Sequence, residues 1–565
     1  MLSAAAGAQT FSEALLYSQN NYYGTARSMA LSNAMTALGG DLGSVGINPA
    51  GSAVASYSQF TISPGLTVSS TTSTYSSWVD DVFGPNYTMD RKKSNLPNVG
   101  CIMNYDTYND YGIKSYSFGF VSNSTATYTG GFEAGGANDM TSILGSFAAA
   151  AGYYTPGMLN NTANYYGTGI PWNQLVAYQS GMISQIYGTD GNPLVDNAGY
   201  YTYAGATEGV YPLEDGSYDI YTMGTLNQKA RVATAGIKHD MVFNFGMNIN
   251  DNLYVGFNLG MPVADYRYDE SFTEYAVNPS DFALEYSDGK IAEFSNASYR
   301  YTQASSIAGI YAKIGVIWAP EGGFRLGAAL QTPTSFTVQD RWQVEGSTSF
   351  TNSMFDAAAS SPVNEYSYTL IAPARFNIGA AYTFFGAGLI SLDFEMADYS
   401  TMRFRTYDID SDYSYSMENA VNKFFGCPSF SGRLGLEYRV LPALSLRAGA
   451  SYQTSPECGR YDLNGNELSA GSFAADYYLI NCPDPTAFLA DRKIINDMVT
   501  SFSAGAGYSS AGSFFADFAV RRTMYPKMAY NPYSDYISAN GDYLPQVDVK
   551  RRSVLDMVLT LGWRF

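Results

Sequence analysis

The amino-acid sequence predicts an all-β transmembrane barrel of about 14 antiparallel strands closed around an N-terminal helical plug, and three observations predict it. Aromatic residues make up 15% of the chain and charged residues only 14%, against about a quarter charged in soluble domains. No run approaches the roughly 18 apolar residues that a membrane-spanning helix needs, and mean hydropathy is slightly negative at -0.14. From Ser56 onward the apolar residues recur with period two, as in strands with one face in lipid and one in a polar lumen. Such alternation hides apolarity from a running average, so the three agree.

The N-terminal residues do not follow this pattern. Ala6-Gly7-Ala8 before Gln9 reads as the cleavage site of a secretory signal peptide, although its basic and long apolar parts are missing. Residues 1–8 are therefore assigned to a signal-peptide remnant, 9–55 to the plug and 56–565 to the barrel. Thr10 and Glu13 have capping-box spacing for a short helix. Thr25 then caps a helix expected from Ala26 to about Leu38, rich in small residues that allow close packing. Gly39-Gly40 stops it, since a helix end commonly needs positive φ, and Asn48-Pro49-Ala50-Gly51 follows as a turn.

Strands are expected to begin near residues 56, 97, 113, 232, 252, 305, 323, 366, 388, 428, 443, 495, 512 and 549. At the end of the chain Leu555, Met557, Leu559, Leu561, Trp563 and Phe565 share one face, and Asp556, Thr560, Gly562 and Arg564 the other. On another strand Ile390, Leu392, Phe394 and Met396 alternate with Ser391, Asp393 and Glu395. Those carboxylates must face an aqueous lumen or a partner, because a carboxylate in hydrocarbon is prohibitively costly. Turns near 108, 251, 321, 386, 441 and 511 are short and the alternate connections long, as for periplasmic turns and outer loops. The longest outer connection, roughly 124–231, carries Leu144, Phe147 and Leu175 at helical spacing, either a packed roof or a greasy surface that captures an apolar ligand.

Composition also excludes functions. A formal charge of -19 rules out a nucleic-acid surface, which needs a basic stripe. Four cysteines do not make a disulfide scaffold; Cys458 and Cys482 are the favoured pair, with Cys427 near them and Cys101 in a strand. The lone histidine and the lack of CxxC argue against zinc, and no cofactor is implied. Asp408, Asp410 and Asp412, and Asp462, Asn464 and Asn466, have calcium-like spacing but read better as polar turns. His239-Asp240 is a hydrolase-like pair, yet neighbours in a strand point to opposite faces, so an enzyme is not expected.

The segment GTARSMALSNAMTALGGDLGSVGINPAG, residues 24–51, resembles the N-terminal hatch of the FadL/TodX family of outer-membrane transporters for hydrophobic compounds. Within it, Gly39, Gly40 and the Asn48-Pro49-Ala50-Gly51 step carry the likeness. NINDNLYVGFNLGMPVADYRYDES, YAKIGVIWAPEGGFRLGAALQTPTSF, GLISLDFEMADYSTMRF and EYRVLPALSLRAGASYQTSP resemble members from Bacteroidetes, and Phe565 with Trp563 resembles the C-terminal signal of bacterial outer-membrane barrels. The resemblance implies a barrel in the outer membrane of a Gram-negative bacterium, in contact with lipid and lipopolysaccharide. It implies passive uptake of long-chain fatty acids or similar apolar ligands: capture by outer loops, an apolar pocket above the hatch, and lateral exit beside a kinked third strand. That kink is expected at Phe118-Gly119-Phe120, since glycine inside a strand can mark a bend. Met29, Met35, Leu38 and Ile47 are candidate hatch contacts to ligand, and equally plain hatch packing. The alternative is a subunit of an outer-membrane protein secretion or assembly machine, because some relatives keep barrel and hatch for that role and bind a protein partner.

Overall fold

The computed structural model describes residues 10–565 apart from 78–82, 189–190, 196–198, 213–217, 286–288, 354, 385, 409–412, 463–466, 469–488, 495–497, 535 and 537–542. The signal-peptide remnant, Cys482, Asp410, Asp412, Asn464 and Asn466 lie outside the described residues.

Fourteen wall strands form one closed antiparallel ring. They are β1 (Gln59–Ser77), β2 (Tyr87–Asp106), β3 (Ile113–Thr127, continuing as Gly130–Asn138), β4 (Leu226–Ile249) and β5 (Leu253–Ala276). Next come β6 (Ile291–Trp318), β7 (Phe324–Gln331 and Thr334–Phe350), β8 (Asn364–Ala372 and Arg375–Phe384) and β9 (Gly388–Asp398 and Arg403–Thr406). The ring ends with β10 (Pro428–Leu441), β11 (Leu444–Gln453), β12 (Val499–Ser509), β13 (Phe514–Tyr525 and Met528–Tyr530) and β14 (Pro545–Arg564). β14 pairs back onto β1 with Trp563 opposite Phe60, which closes the ring. Ser58 and Phe565 exchange backbone hydrogen bonds of 3.1 and 3.0 Å where the chain enters and leaves the wall.

The expected alternation holds. Ile390, Leu392, Phe394 and Met396 are exposed outward, and Ser391, Asp393 and Glu395 are buried inward. Phe243, Val255, Phe257, Leu259, Ile314, Val316 and Trp318 continue this outer apolar band around β4 to β6. An apolar girdle on a closed barrel fits only a hydrocarbon surround, so the wall spans a membrane. The expected strand starts at 97 and 305 fall too late, because β2 begins at Tyr87 and β6 at Ile291. Apolar alternation marks only the part in lipid, and the outer part of β2, TMDRKKSN, is polar.

Inside, α1 (Phe11–Ser18) starts at the expected capping box, with Thr10 N–H donating to Glu13 at 3.0 Å and Glu13 N–H to Thr10 Oγ1 at 3.2 Å. Thr25 caps α2, but that helix runs only from Ala26 to Ala30 and not to Leu38. Ser32 and Asn33 adopt φ of 50° and 61° and end it, because both side chains have better partners. The Ser32 hydroxyl meets Ser503 of the wall at 2.8 Å, and Asn33 Nδ2 donates to the Tyr22 carbonyl at 2.7 Å. Gly39 and Gly40 take positive φ, 63° and 72°, but in the link to the next helix and not at the end of α2, which they were expected to stop. α3 (Leu42–Val45) and a 3-10 turn (Pro49–Val54) complete the plug.

Above the plug, α4 (Ile143–Ala151) and α5 (Trp172–Gln179) pack on the upper wall as a roof. Leu144, Phe147 and Leu175 are buried there with Tyr299, Trp342 and Val344. Glu208 closes the roof, accepting from Gly205 N–H at 2.8 Å and from the Tyr536 hydroxyl at 2.6 Å.

Two outcomes follow. Leu392→Arg places a cation in the lipid-facing band and is expected to cost about 2–4 kcal/mol at the bilayer midplane, read from the urea midpoint in lipid vesicles. Burial raises the Glu208 pKa above its usual 4.5, so the folded roof holds this proton more tightly than the unfolded chain. Its contribution is full below the unfolded value and lost as pH rises through the folded one; near-UV circular dichroism melting should show this slope, and Glu208→Gln should flatten it.

Candidate functional site

The plug has little regular structure, so its backbone groups need partners from outside, and the inward side chains of the wall supply them. Lys313 Nζ donates to the Gly46 carbonyl at 2.9 Å and Arg325 Nη1 to that of Leu38 at 2.8 Å. Asn244 Nδ2 reaches the Pro49 carbonyl at 3.0 Å and Asn258 Nδ2 that of Val45 at 2.7 Å. Asp393 Oδ2 accepts from Thr36 N–H at 2.7 Å, and Arg27 of the plug pairs with Glu437 at 2.9 Å. Asn48 is the central link: its Nδ2 donates to the carbonyls of Thr36 and Val316, at 2.7 and 3.1 Å, and its Oδ1 accepts from Ala50 N–H at 3.1 Å.

Close approach needs small wall residues. A Cβ on Gly315 would stand 1.9 Å from Asn48 Oδ1, one on Gly256 2.3 Å from the Pro49 carbonyl carbon, and one on Gly327 2.1 Å from the Thr36 oxygen. Gly256 and Gly315 sit in register on β5 and β6. These glycines were not singled out in the sequence, yet a signal exists: VGFNLG, KIGVIW, RLGAAL and NIGAAY each place glycine mid-strand.

A charge cluster sits against the N-terminal part of the plug. Glu395 accepts from Arg375 at 2.9 Å and from Arg433 at 2.7 Å, all three buried. Arg375 also donates to the Ser18 carbonyl at 2.6 Å, and Lys238 Nζ to that of Tyr17 at 3.0 Å, which pins the end of α1. The other side of α1 is apolar: Phe11, Leu15 and Tyr17 pack among Tyr128, Tyr266 and Phe336. The lumen is thus filled in layers, and the best-formed cavities among the described residues are small and mostly polar-lined.

The wall itself has a seam. β2 pairs with β3 only from Asn98↔Asn123 to Asp106↔Ser115, although both strands continue outward. Beyond that point β3 stays on β4, with an irregularity between Ser124 and Ala126. Its abandoned edge is taken up from inside: Asn21 N–H donates to the Thr125 carbonyl at 2.7 Å and Tyr23 N–H to that of Ser124 at 2.8 Å. Pro97 stands on the β2 side where the ladder stops, a position whose missing N–H suits an unpaired edge. The bend expected at Gly119 is therefore displaced. Gly119 keeps both partners, Ile102 and Asn244, with Phe118 and Phe120 exposed outward.

The remaining candidates are placed as follows. Met35, Leu38 and Ile47 form one buried cluster with Tyr22 and Leu31, and Met29 another with Tyr23 and Ala519. Leu144, Phe147 and Leu175 lie in the roof, so the structure does not bring the seven into one pocket. Cys458 is bonded to Cys427, not to Cys482. The β10–β11 hairpin explains the pairing, because an antiparallel pair brings the residue before its first strand beside those after its second. Asp240 faces inward and accepts from the Tyr311 hydroxyl, while His239 lies on the opposite face of β4, so the two form no relay.

No family model matches the chain, and no curated protein matches it. Among solved structures, a Pseudomonas aeruginosa FadL homologue is similar at 11% identity and TM-score 0.46, over 96% of this chain and 98% of that one. The P. putida toluene transporter TodX is similar at 11% identity and TM-score 0.44, over 96% and 98%. The CymD monoaromatic hydrocarbon channel gives 10% and 0.42, over 96% and 97%. At such values the site rests on its own geometry.

Removing one member of a buried ion cluster leaves the others uncompensated. Glu395→Gln is expected to destabilise the protein by about 3–5 kcal/mol and to expose residues 20–55 to protease, measured by urea unfolding and limited proteolysis.

Proposed function

We propose that the protein lies in the outer membrane of a Gram-negative bacterium and carries apolar small molecules, long-chain fatty acids or similar compounds, passively past lipopolysaccharide, in the manner of the FadL/TodX family its hatch resembles. The observation that carries this reading is the seam. A non-selective pore has no need of one, whereas a plugged barrel that passes apolar cargo needs a side opening into hydrocarbon. The edge carbonyls of Ser124 and Thr125 are held by plug residues 23 and 21, so plug movement and seam opening are mechanically linked. Transfer of an alkyl chain from water into such a path is favoured by about 0.8 kcal/mol per methylene, which makes diffusion sufficient.

In this reading Leu144, Phe147 and Leu175 belong to the capture surface and Met29, Met35, Leu38 and Ile47 to the hatch contacts. All seven are buried, so a ligand reaches them only after the roof or plug shifts. The rival role, as a subunit of a secretion or assembly machine, draws on the outer face, where Tyr153, Tyr166, Tyr187 and Tyr211 are exposed as protein-binding aromatics often are.

Asn48→Ala with Pro49→Ala, and separately Tyr23→Pro, are expected to leave the barrel heat-modifiable on gels but to change uptake of radiolabelled oleate severalfold. Unchanged uptake of every apolar solute in both variants would sink the transport reading. Native mass spectrometry in mild detergent separates the rival: a stoichiometric protein partner without ligand favours the machine.

A further inference from the structure

Several buried carboxylates of the inner wall are neutralised by arginine: Glu395 by Arg375 and Arg433, Asp517 by Arg447 and Asp556 by Arg521. Asp340 on β7 is not. It is fully buried, neither of its oxygens has a hydrogen-bond partner, and among the described residues it belongs to no ion pair. The Tyr368 hydroxyl nearby is likewise unpartnered. This level lies above the lipid band, because the adjoining outward side chain, Arg341, pairs with Glu365 on the exposed face at 2.7 Å.

A second carboxylate arrives from the plug. Glu13 of α1 accepts from Thr10 N–H as part of the helix cap, and its Oε1 accepts from Gln303 Nε2 at 2.7 Å. Gln303 and Ser305 share the inner face of β6, and Ser305 stands opposite Asp340 in the ladder. The Tyr17 hydroxyl of α1 donates to Ser305 Oγ at 2.9 Å. Docking of α1 therefore sets Glu13 against the part of the wall that carries Asp340. The titratable groups facing the two carboxyls are phenols: Tyr17 of α1, Tyr266 of β5, Tyr301 of β6 and Tyr368 of β8. On its other side α1 meets α6 (Ser416–Phe425) through Phe11 and Phe425. Lys423 of α6 is exposed, and its Glu418 accepts from Tyr413. Lys238 and Arg375 are engaged with the carbonyls of Tyr17 and Ser18, at the far end of α1. Two neighbouring carboxylates, one buried without a donor, do not both ionise in such a site.

We propose that Glu13 and Asp340 hold one proton between them when α1 is docked, and that loss of this proton undocks α1 from the wall, a pH-sensitive latch on the first helix of the plug. Burial raises both carboxyls above their usual range, and the charge of Asp340 raises Glu13 further. A proton held more tightly by the docked form stabilises it fully below the usual carboxylate range, and that stabilisation is lost as pH rises through the raised values. Undocking frees the segment leading to Asn21 and Tyr23, the donors on the β3 edge. The latch rests on plug and wall geometry and is independent of what the barrel carries.

The test follows α1 and the proton separately. The full-length protein in detergent micelles is digested briefly with chymotrypsin across a pH series, and cuts after Phe11, Leu15 and Tyr17 are quantified by mass spectrometry. Each rate is divided by that of the urea-unfolded protein at the same pH, which removes the protease's own pH dependence. Infrared spectra over the same series follow the C=O band of protonated carboxyl. In the wild type, cleavage within α1 is expected to rise severalfold from mildly acid to mildly alkaline pH as carboxyl band intensity is lost. Asp340→Asn keeps the shape of the protonated acid, so α1 should stay protected throughout and the band lost on titration should be smaller. Glu13→Gln retains an acceptor for the helix cap and provides the second variant, expected to flatten the cleavage profile in the same way. A wild-type profile without pH dependence, a pH dependence that survives in both variants, or an identical band loss in wild type and Asp340→Asn would overturn the proposal. Oleate uptake enters none of these readouts, so this inference and the transport reading fail separately.

Discussion

Wall side chains complete the hydrogen bonding of a plug that cannot complete its own, and the rest of the structure depends on this. Inside a closed barrel each unpaired carbonyl costs about 1–3 kcal/mol, and helices in the plug satisfy only a minority of its groups. The donors arrive from four consecutive wall strands, all far in sequence from the plug: Asn244, Asn258, Lys313 and Arg325 each serve a different plug carbonyl. Wall glycines let the backbones meet, and Asn48 ties two plug segments to β6 at once. The plug is therefore shaped by the wall, which explains why α2 stops at Ala30 despite a sequence that favours a longer helix.

The same dependence joins plug to seam. A strand that leaves its neighbour in a membrane wall exposes carbonyls where no water can satisfy them. Here Asn21 and Tyr23 of the plug donate to that edge, so the wall is incomplete without the plug and the plug is anchored at the wall's weakest line. Movement in one has to be felt by the other. The proposed side exit rests on this link between plug and wall.

Much of the architecture was legible because lipid imposes a simple rule. Period-two alternation, short turns on one side and an even strand count place the barrel, its closure and the inward carboxylates Asp393 and Glu395. The rule weakens away from lipid. The outer reach of β2 is polar on both faces, and that of β6 packs Phe294, Ala297 and Tyr299 under the roof behind a polar outer face, so neither shows the lipid pattern and their beginnings were misplaced. Gly119 looked like a bend, but it is a lumen-facing glycine in an unbroken ladder, while the true departure follows Asn123, where no glycine or proline marks β3 itself. Pro97 on the neighbouring strand was the available sign.

By itself the sequence determined the solvent of each face, since the transfer cost of a side chain depends on its own chemistry and on the strand's fixed period. It also determined local caps, Thr10 with Glu13 and Thr25 with α2, because those partners lie within four residues. Only the tertiary structure decided the bond between Cys427 and Cys458, the dispersal of the candidate ligand contacts, the seam held by the plug, and the meeting of Glu13 with Asp340. Each of these joins residues tens to hundreds of positions apart, and their proximity is set by barrel closure and strand register, which no local pattern encodes.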